Sequence, residues 1–316
     1  MSNNISILIV GAGQIAREYI KVTQDLGYDC IVVGLGEKNI NEVRQEFPDF
    51  QSFSGGLENW LEDNTVPEYA IVATPLNQLA SVTVSLLKSG CTKILVEKPL
   101  TFSVTKANAI SNLASEMNAT VVIAFNRRSY SSVQHARRLI LEDGGVSSMH
   151  FDFTEAIFRI NPSHYDSESN TFWGIANSSH VIDTAFHLAG EPKIIHSKQF
   201  DNSVEWHPSG SIFTGMGETV NNVPFTYHAN WGCPGKWNIE IMTPRRKLLF
   251  SPMEILRVQR YSSFQVDVFK QDNVVDTLFK PGFHKQVTAW LNQDDYLFNI
   301  SDFPKFLKSL NKIFGY

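Results

Sequence analysis

One short segment near the start of the chain constrains the fold most, a glycine-rich turn between a buried strand and a helix. Residues 5–10 are almost entirely apolar, and GAGQIA (residues 11–16) follows at once. In this G-x-G-x-x-A pattern Gly11 permits a tight turn, Gly13 lets a phosphate approach the backbone, and Ala16 allows close helix–strand packing. A helix that begins there offers free N–H groups and a partial positive charge. The pattern predicts a dinucleotide pyrophosphate bound by Gly11, Gly13, Gln14 and Ile15.

The first 125 residues alternate short apolar strands with helices. Strand-like segments occur at residues 30–33, 69–73, 93–96 and 120–125, and helical patterns lie between them. Such alternation is typical of parallel βαβ units, whose right-handed crossovers build a doubly wound sheet. We therefore expect an NAD(P)-binding Rossmann domain over residues 1–125.

The pattern changes after about residue 145. Strand-like segments follow one another at residues 148–158, 194–200, 211–216, 223–231, 237–243, 246–250 and 254–260. Helical patterns interrupt them at residues 178–188 and 301–313. Consecutive strands without intervening helices predict a large, mainly antiparallel sheet. The fold class is thus α/β, with a second, α+β domain expected over residues 126–316. The family resemblance described below implies that this is a substrate-binding and oligomerisation domain.

Composition excludes several classes of protein. The chain has 27 Lys and Arg against 32 Asp and Glu, a net charge of −5, so it lacks the basic surface of a nucleic-acid binder. Its apolar runs are too short for a bilayer span, and we expect neither a membrane partner nor a secretory leader. Three cysteines without C-x-x-C spacing argue against a disulfide scaffold or zinc ribbon and favour a cytoplasmic location.

The turn after the second strand bears on the choice of cofactor. It reads GLGEK over residues 34–38. Glu37 can accept hydrogen bonds from the adenosine ribose hydroxyls, which favours NAD, whereas Lys38 can meet a 2′-phosphate, which favours NADP. Both alternatives remain open, with Gly36, Glu37 and Lys38 as the expected ribose contacts.

Four further segments carry a family resemblance. They are ATP at residues 73–75, VEKPL at 96–100, FNRR at 125–128 and HVID at 180–183. With the glycine-rich turn, they resemble the glucose-fructose oxidoreductase / inositol 2-dehydrogenase / rhizopine-catabolism (Gfo/Idh/MocA) oxidoreductase family. The lysine of the second segment ends a parallel strand, where doubly wound folds bind ligands.

The resemblance implies an NAD(P)-dependent oxidoreductase acting on a CH–OH carbon of a sugar, nucleotide sugar or polyol. It implies that Lys98 lies between nicotinamide and the substrate hydroxyl, that His180 is the general acid/base, and that Asp183 contacts substrate or orients the histidine. An imidazole of ordinary pKa, about 6.5, can take a hydroxyl proton near neutral pH. A homodimer or homotetramer is expected on the same ground.

Other side chains complete the expected sites. Around the cofactor we expect Thr74, Pro75, Glu97, Lys98 and Asn126. Around the substrate we expect Lys98, Asn126, Arg127, Tyr165, Trp173, Asn177, His180 and Asp183. Arg127 and Arg128 are also interpreted as structural ion-pair donors. No metal is needed, although His180, Asp183 and His187 share a helix face and leave a metal site as an alternative.

One position departs from the family pattern. Many members carry Asp four residues before the helix histidine, and this chain has Ala176 there. The substitution puts an Asp–His proton relay in doubt. Two alternatives therefore stay open, a catalytically silent NAD(P)-binding regulatory protein and a lyase or glycosidase that uses NAD transiently.

Overall fold

The computed structural model describes residues 5–270 and 272–316, and two compact units emerge from their contacts. The strands are β1 Ser6–Val10, β2 Asp29–Val33, β3 Gln51–Phe53, β4 Tyr69–Val72, β5 Lys93–Val96, β6 Thr120–Ile123, β7 Ser148–Phe153, β8 Pro192–Phe200, β9 Ile212–Thr219, β10 Pro224–Asn230, β11 Trp237–Met242, β12 Arg246–Phe250, β13 Leu256–Arg260, β14 Val266–Val268 and β15 Phe298–Asn299.

The helices are α1 Gln14–Asp25, α2 Glu37–Glu46, α3 Leu57–Asp63, α4 Leu76–Lys88, α5 Val104–Glu116, α6 Ser131–Glu142, α7 Ser167–Thr171, α8 Ser179–Ala189, α9 Val274–Leu278, α10 Phe283–Asn292 and α11 Phe303–Phe314. Short 3-10 turns lie at Asn126–Ser129, Ile157–Arg159, Pro162–His164 and Ile300–Asp302, and a π-helical turn lies at Gly174–Ser178.

A parallel sheet forms the centre of the first unit. Its strands follow the order β15-β6-β5-β4-β1-β2-β3 in the described chain, and only the short β15 runs antiparallel to its neighbour. Strands β1, β4 and β5 are buried almost throughout, which is why their sequences are continuous apolar runs. All carboxyl ends of the parallel strands lie at one edge, and the glycine-rich turn follows β1 at that edge.

The first unit also contains a segment from much later in the chain. Residues up to Asn126 cluster with Val275–Lys305. The Phe283 ring of α10 lies 4.6 Å from the Tyr19 ring, and Trp290 meets Tyr69 edge-on at 5.4 Å. This division differs from the expected one, which kept all of residues 126–316 together, because apolar burial on α1 and β4 draws α10 into the first core.

The second unit, Arg127–Val274 with Phe306–Tyr316, is built on a larger sheet. Among the described residues its strand order is β14-β13-β12-β11-β7-β10-β9-β8. Every neighbouring pair is antiparallel except β7 and β10. Helix α8 covers one face, where Phe186 packs against Phe151 and Phe225 with ring centroids 5.6 and 5.1 Å apart.

The end of the chain packs into this second unit. The Phe314 ring lies 5.3 Å from Phe153 and 5.2 Å from Phe213. The Tyr316 hydroxyl lies 2.6 Å from His207 Nε2 and accepts the Gly174 amide at 3.0 Å. A Cβ on Gly174 would lie 2.4 Å from the Phe314 ring, so a glycine is needed at the start of the π-helical turn.

The predicted fold class, a Rossmann sheet followed by a mainly antiparallel sheet, is confirmed. Several boundaries need correction, among them the two that follow. The strand predicted over residues 148–158 ends at Phe153, because the Thr154 amide donates to Asp152 Oδ1 at 2.7 Å and not to a neighbouring strand. The helix predicted from residue 301 begins as a 3-10 turn. None of the helices in the described ranges is long and apolar enough to cross a membrane.

The packing of α10 gives a test of the unit boundary. Trp290 is 2% exposed, so Trp290→Ala is expected to lower the free energy of unfolding by about 3–5 kcal/mol. Leu278→Ala on α9, where the side chain is 72% exposed, is the matched control and should change it by less than about 0.5 kcal/mol. Urea unfolding of both variants measures the difference. Equal, small effects would show that α10 does not stabilise the first core.

Candidate cofactor and substrate sites

The glycine-rich turn has a conformation that its sequence requires. Gly11 adopts φ +125°, and a Cβ there would lie 2.2 Å from the Ala73 carbonyl oxygen. Gly13 is extended and precedes α1 without any side-chain cap, and no acidic residue occupies the first turn. A Cβ on Gly13 would meet no atom within 4 Å. The turn therefore leaves the first amides of α1, at Gln14 and Ile15, facing open space that suits a pyrophosphate.

The turn after β2 places an acid at the start of α2. Gly36 precedes this helix, and Glu37 is its first residue. The Glu37 carboxylate accepts a hydrogen bond from Arg44 Nη1 at 2.8 Å. A hydrogen bond from Ser54 and the one from Arg44 lower the pKa of Glu37, so the side chain is anionic at neutral pH. Lys38, the other ribose candidate, follows it on the same exposed turn.

The turn after β4 contributes a buried hydroxyl. Thr74 Oγ1 is buried, and within the described chain it has no hydrogen-bond partner. Pro75 follows in extended conformation and precedes α4. A buried polar atom without a partner is costly, so this hydroxyl is available to a ligand at the carboxyl edge of the sheet. With the uncapped α1, it shows that the residues present fit a dinucleotide.

The turn after β5 carries a buried carboxylate next to the expected catalytic lysine. Glu97 accepts a hydrogen bond from the Tyr19 hydroxyl at 2.6 Å and one from the Lys98 amide at 3.3 Å. Burial raises the pKa of Glu97, and the charges of Lys98 and Lys280 oppose that rise. Sequence reasoning missed Tyr19, which has the spacing of a plain core residue, and Lys280, which arrives with the later segment.

Asn126 lies where that later segment meets the carboxyl edge of the sheet. Its side-chain amide donates to the Pro281 carbonyl at 3.0 Å, and the residue is buried. The first unit thus contains all of the expected cofactor residues. It also contains the loop at Pro281, which no local sequence motif predicts.

Helix α8 carries the expected acid/base. His180 is 8% exposed, and its ring lies 6.4 Å from the Trp237 ring. One turn later, Asp183 accepts Arg128 Nε at 3.1 and 3.0 Å and Arg128 Nη2 at 2.7 Å. Burial raises the pKa of Asp183, and Arg128 opposes the rise. The expected ion-pair role of Arg128 thus has a specific geometry, in which both Asp183 oxygens face the guanidinium.

The metal alternative finds no support in the geometry. Over residues 5–270 and 272–316, no cluster of three or more His, Cys, Asp or Glu side chains is arranged to hold an ion. His187 is partly exposed on α8, and desolvation together with the charges of Arg128 and Arg137 lowers its pKa well below the ordinary value. A neutral, partly buried imidazole suits the packing role.

A carboxylate that sequence reasoning missed faces the turn before His180. Glu155 is buried and accepts Ser178 Oγ at 2.5 Å and Asn177 Nδ2 at 2.9 Å. Both donors belong to the π-helical turn that contains Ala176, and such turns are frequent at functional sites. No spacing signal links Glu155 to residues more than twenty positions later, so it was assigned to a strand.

The remaining substrate candidates are aromatic or cationic. The Arg127 guanidinium carbon lies 4.8 Å from the Trp237 ring centroid. Tyr165 is 47% exposed and meets the buried Trp173 edge-on at 4.9 Å. Tyr165 thus offers an accessible aromatic face, whereas Trp173 supports it from below.

Comparisons with known proteins define the class. Residues 5–125 match the family described as GFO_IDH_MocA, an oxidoreductase family with an NAD-binding Rossmann fold. No curated protein matches the sequence. The first domain is thus an NAD-binding Rossmann domain of an oxidoreductase. This match over residues 5–125 confirms the predicted resemblance to the Gfo/Idh/MocA family and the cofactor class.

Solved structures agree over the whole length. An inositol dehydrogenase homologue from Azotobacter vinelandii, complexed with NAD+, has a TM-score of 0.75 at 14% identity and covers 100% of this chain and 95% of its own. A levoglucosan dehydrogenase with NADH and levoglucosan scores 0.77 at 16% identity, covering 98% and 96%. UDP-N-acetylglucosamine 3-dehydrogenase from Acidithiobacillus ferrooxidans scores 0.76 at 14%, covering 98% and 96%. At these identities the likeness shows the fold.

Substitution by alanine is expected to have different effects at Gly11 and at Gly13, the two glycines of the cofactor turn. Gly13→Ala should leave the unfolding free energy nearly unchanged and weaken NAD binding at least ~10-fold, because its Cβ fills the space that a pyrophosphate needs. Gly11→Ala should instead destabilise the protein, since its Cβ collides with backbone. Calorimetric titration with NAD and thermal unfolding separate the effects. Undiminished NAD affinity in Gly13→Ala would place the pyrophosphate elsewhere.

Proposed function

We propose that this protein transfers hydride between a nicotinamide cofactor and a CH–OH carbon of a carbohydrate, which is a sugar, a nucleotide sugar or a polyol. The observation that carries this proposal is His180, held on a helix beside the Trp237 ring in a chain whose first domain binds NAD. An imidazole next to an aromatic face suits a sugar hydroxyl, because sugar rings stack on aromatic side chains while the imidazole takes the proton. Relatives of this fold include dehydrogenases of levoglucosan and of a nucleotide sugar.

The cofactor residues have distinct proposed roles. The amides of the glycine-rich turn hold the pyrophosphate, and the turn after β2 holds the adenosine ribose. The bound nicotinamide supplies the hydride acceptor or donor. The residues proposed to bind the cofactor are Gly11, Gly13, Gln14, Ile15, Gly36, Glu37, Lys38, Thr74, Pro75, Glu97, Lys98 and Asn126.

The substrate residues divide into those that react and those that position. In the oxidative direction His180 takes the hydroxyl proton as the hydride leaves the same carbon, giving a carbonyl product, and Lys98 stabilises the developing alkoxide. Asp183, which forms an ion pair with Arg128, is proposed to act as a positioning residue for α8. Asn126, Arg127, Tyr165, Trp173 and Asn177 are proposed to contact the substrate.

We also propose that the second unit makes the contacts of a homodimer or homotetramer. Large apolar side chains are exposed on its sheet, as for Met216 at 61%, and in the β13–β14 turn, as for Tyr261 at 88% and Phe264 at 102%. Exposed apolar side chains that form a contiguous patch are typical of association surfaces. The cytoplasmic location stays a prediction.

The acid–base role of His180 has a direct test. The purified protein is incubated with NAD or NADP and a panel of sugars, inositols, nucleotide sugars and sugar acids, and the absorbance of reduced nicotinamide is followed. His180→Ala should lower kcat at least ~100-fold, since positioned acid–base catalysis contributes about 10²–10⁴. His196→Ala, an exposed histidine on β8, is the control and should retain full activity.

The outcomes separate the alternatives. Near-normal turnover in His180→Ala would remove His180 from the mechanism. Stoichiometric cofactor binding without turnover on any substrate would favour a regulatory protein. Product formed with no net change in NAD or NADH would favour the lyase or glycosidase that uses NAD transiently.

We further propose that NAD is preferred over NADP, because the anionic Glu37 at the start of α2 repels a 2′-phosphate. Glu37→Ala is expected to raise the ratio of kcat/KM for NADP to that for NAD about tenfold. Glu46→Ala, at the other end of α2, is the control and should leave the ratio unchanged. If Lys38→Ala selectively weakens NADP use instead, Lys38 reads the phosphate and the preference is reversed.

A further inference from the structure

Arg127 lies in an unusual setting for an arginine. Its guanidinium carbon is 4.8 Å from the Trp237 ring centroid and 5.8 Å from that of Tyr130. The faces of the two rings attract the cation through their quadrupoles. Aromatic contacts of this kind hold a guanidinium in place and leave its N–H edge to bind something else, because a ring face does not accept the directed hydrogen bonds of five N–H groups.

Among the residues that the structure describes, none accepts a hydrogen bond from the buried Arg127 Nε. Within the described ranges, no carboxylate forms an ion pair with Arg127, and its Nε is buried without a hydrogen-bond partner. Burial lowers the pKa of Arg127, and the negative charges of Glu254 and Glu155 act on it only through space. The neighbouring Arg128 differs in every respect, since Asp183 accepts three hydrogen bonds from it. A buried donor without an acceptor is costly, so the site is incomplete as the protein alone presents it.

The missing acceptor has a definite chemistry. A planar guanidinium fork matches the oxygens of a carboxylate or a phosphate, whereas a neutral hydroxyl satisfies one N–H and none of the charge. Glu155, one of the two carboxylates that act on Arg127 through space, already accepts hydrogen bonds from Asn177 and Ser178. A ligand anion is therefore the partner that completes the site.

The position of Arg127 relates this anion to the reaction. Trp237 contacts both Arg127 and His180, at 4.8 and 6.4 Å from its ring. We infer that the substrate carries an anionic group, a carboxylate or a phosphate, which Arg127 binds within about one sugar ring of the carbon that reacts beside His180. The inference rests on the proposed function and narrows its substrate class to acidic carbohydrates, that is, sugar acids, sugar phosphates and nucleotide sugars.

Calorimetric titration of the full-length protein, saturated with NAD, tests the inference without requiring turnover. The probes are D-glucose, D-glucuronate, glucose 1-phosphate and UDP-N-acetylglucosamine. At least one anionic probe should bind roughly 10- to 150-fold more tightly than glucose, the size of a charge-assisted hydrogen bond. The anionic probe that binds most tightly shows whether Arg127 binds a carboxylate or a phosphate group of the substrate.

Variants at position 127 test whether the Arg127 guanidinium causes the preference for anionic over neutral probes. Arg127→Met should reduce the ratio of anionic to neutral affinity to near one, and Arg127→Lys, which keeps the charge but loses the fork, should restore part of it. Arg159→Met is the matched control, because Arg159 also stacks on an aromatic ring, that of Phe158 at 5.5 Å, but is exposed. This control should keep the native ratio.

Several results would overturn the inference: equal affinity for glucose and every anionic probe, no anionic binding at all, or a preference that survives in Arg127→Met. The proposed function fails separately. Oxidation of neutral sugars without anion preference would keep the function and reject the inference. Anion binding through Arg127 without turnover of any carbohydrate would reject the function.

Discussion

The buried ion pair between Arg128 and Asp183 fixes the part of the second unit that contains Arg127 and His180. Asp183 is 1% exposed, and both of its oxygens accept hydrogen bonds from one guanidinium. Removing one partner of such a pair leaves a buried charge alone, at a cost of about 3–5 kcal/mol. The pair joins the turn at Asn126–Ser129 to helix α8. Arg127 and His180 therefore have fixed positions, because each lies within one helical turn of a member of the pair.

We therefore propose that Asp183 positions helix α8 and does not carry a proton. A carboxylate with both oxygens engaged by arginine has little capacity left for substrate hydroxyls. The turn before His180 contains a second buried carboxylate, Glu155, whose partners are Asn177 and Ser178. Ala176, the departure from the family pattern, lies in that same π-helical turn. Glu155 thus places a carboxylate next to the turn that precedes α8, although position 176 has an alanine where many family members have an aspartate.

The sequence was informative where the constraint is local. At Gly11 the backbone and the Ala73 carbonyl together admit no side chain, and this requirement is readable from a short pattern after a strand. The later segment 275–305 could not be assigned, because its place depends on Phe283 and Trp290 burying against Tyr19 and Tyr69, contacts with no local signature. Glu155 was missed for the same reason, since only tertiary packing brings it to Ser178.

The two units are proposed to bind negative charge in two different ways. The cofactor turn uses backbone amides and an uncapped helix, so a chain of net charge −5 can hold a pyrophosphate without a basic surface. Arg127 would bind its anion through one side chain on an aromatic support, which a single substitution can change. Backbone recognition depends on the fold and is shared wherever the fold is kept, whereas side-chain recognition can differ from one chain to the next. Substrate choice in this architecture is therefore expected to depend on residues such as Arg127 and Trp237, and cofactor binding on the turn at Gly11 and Gly13.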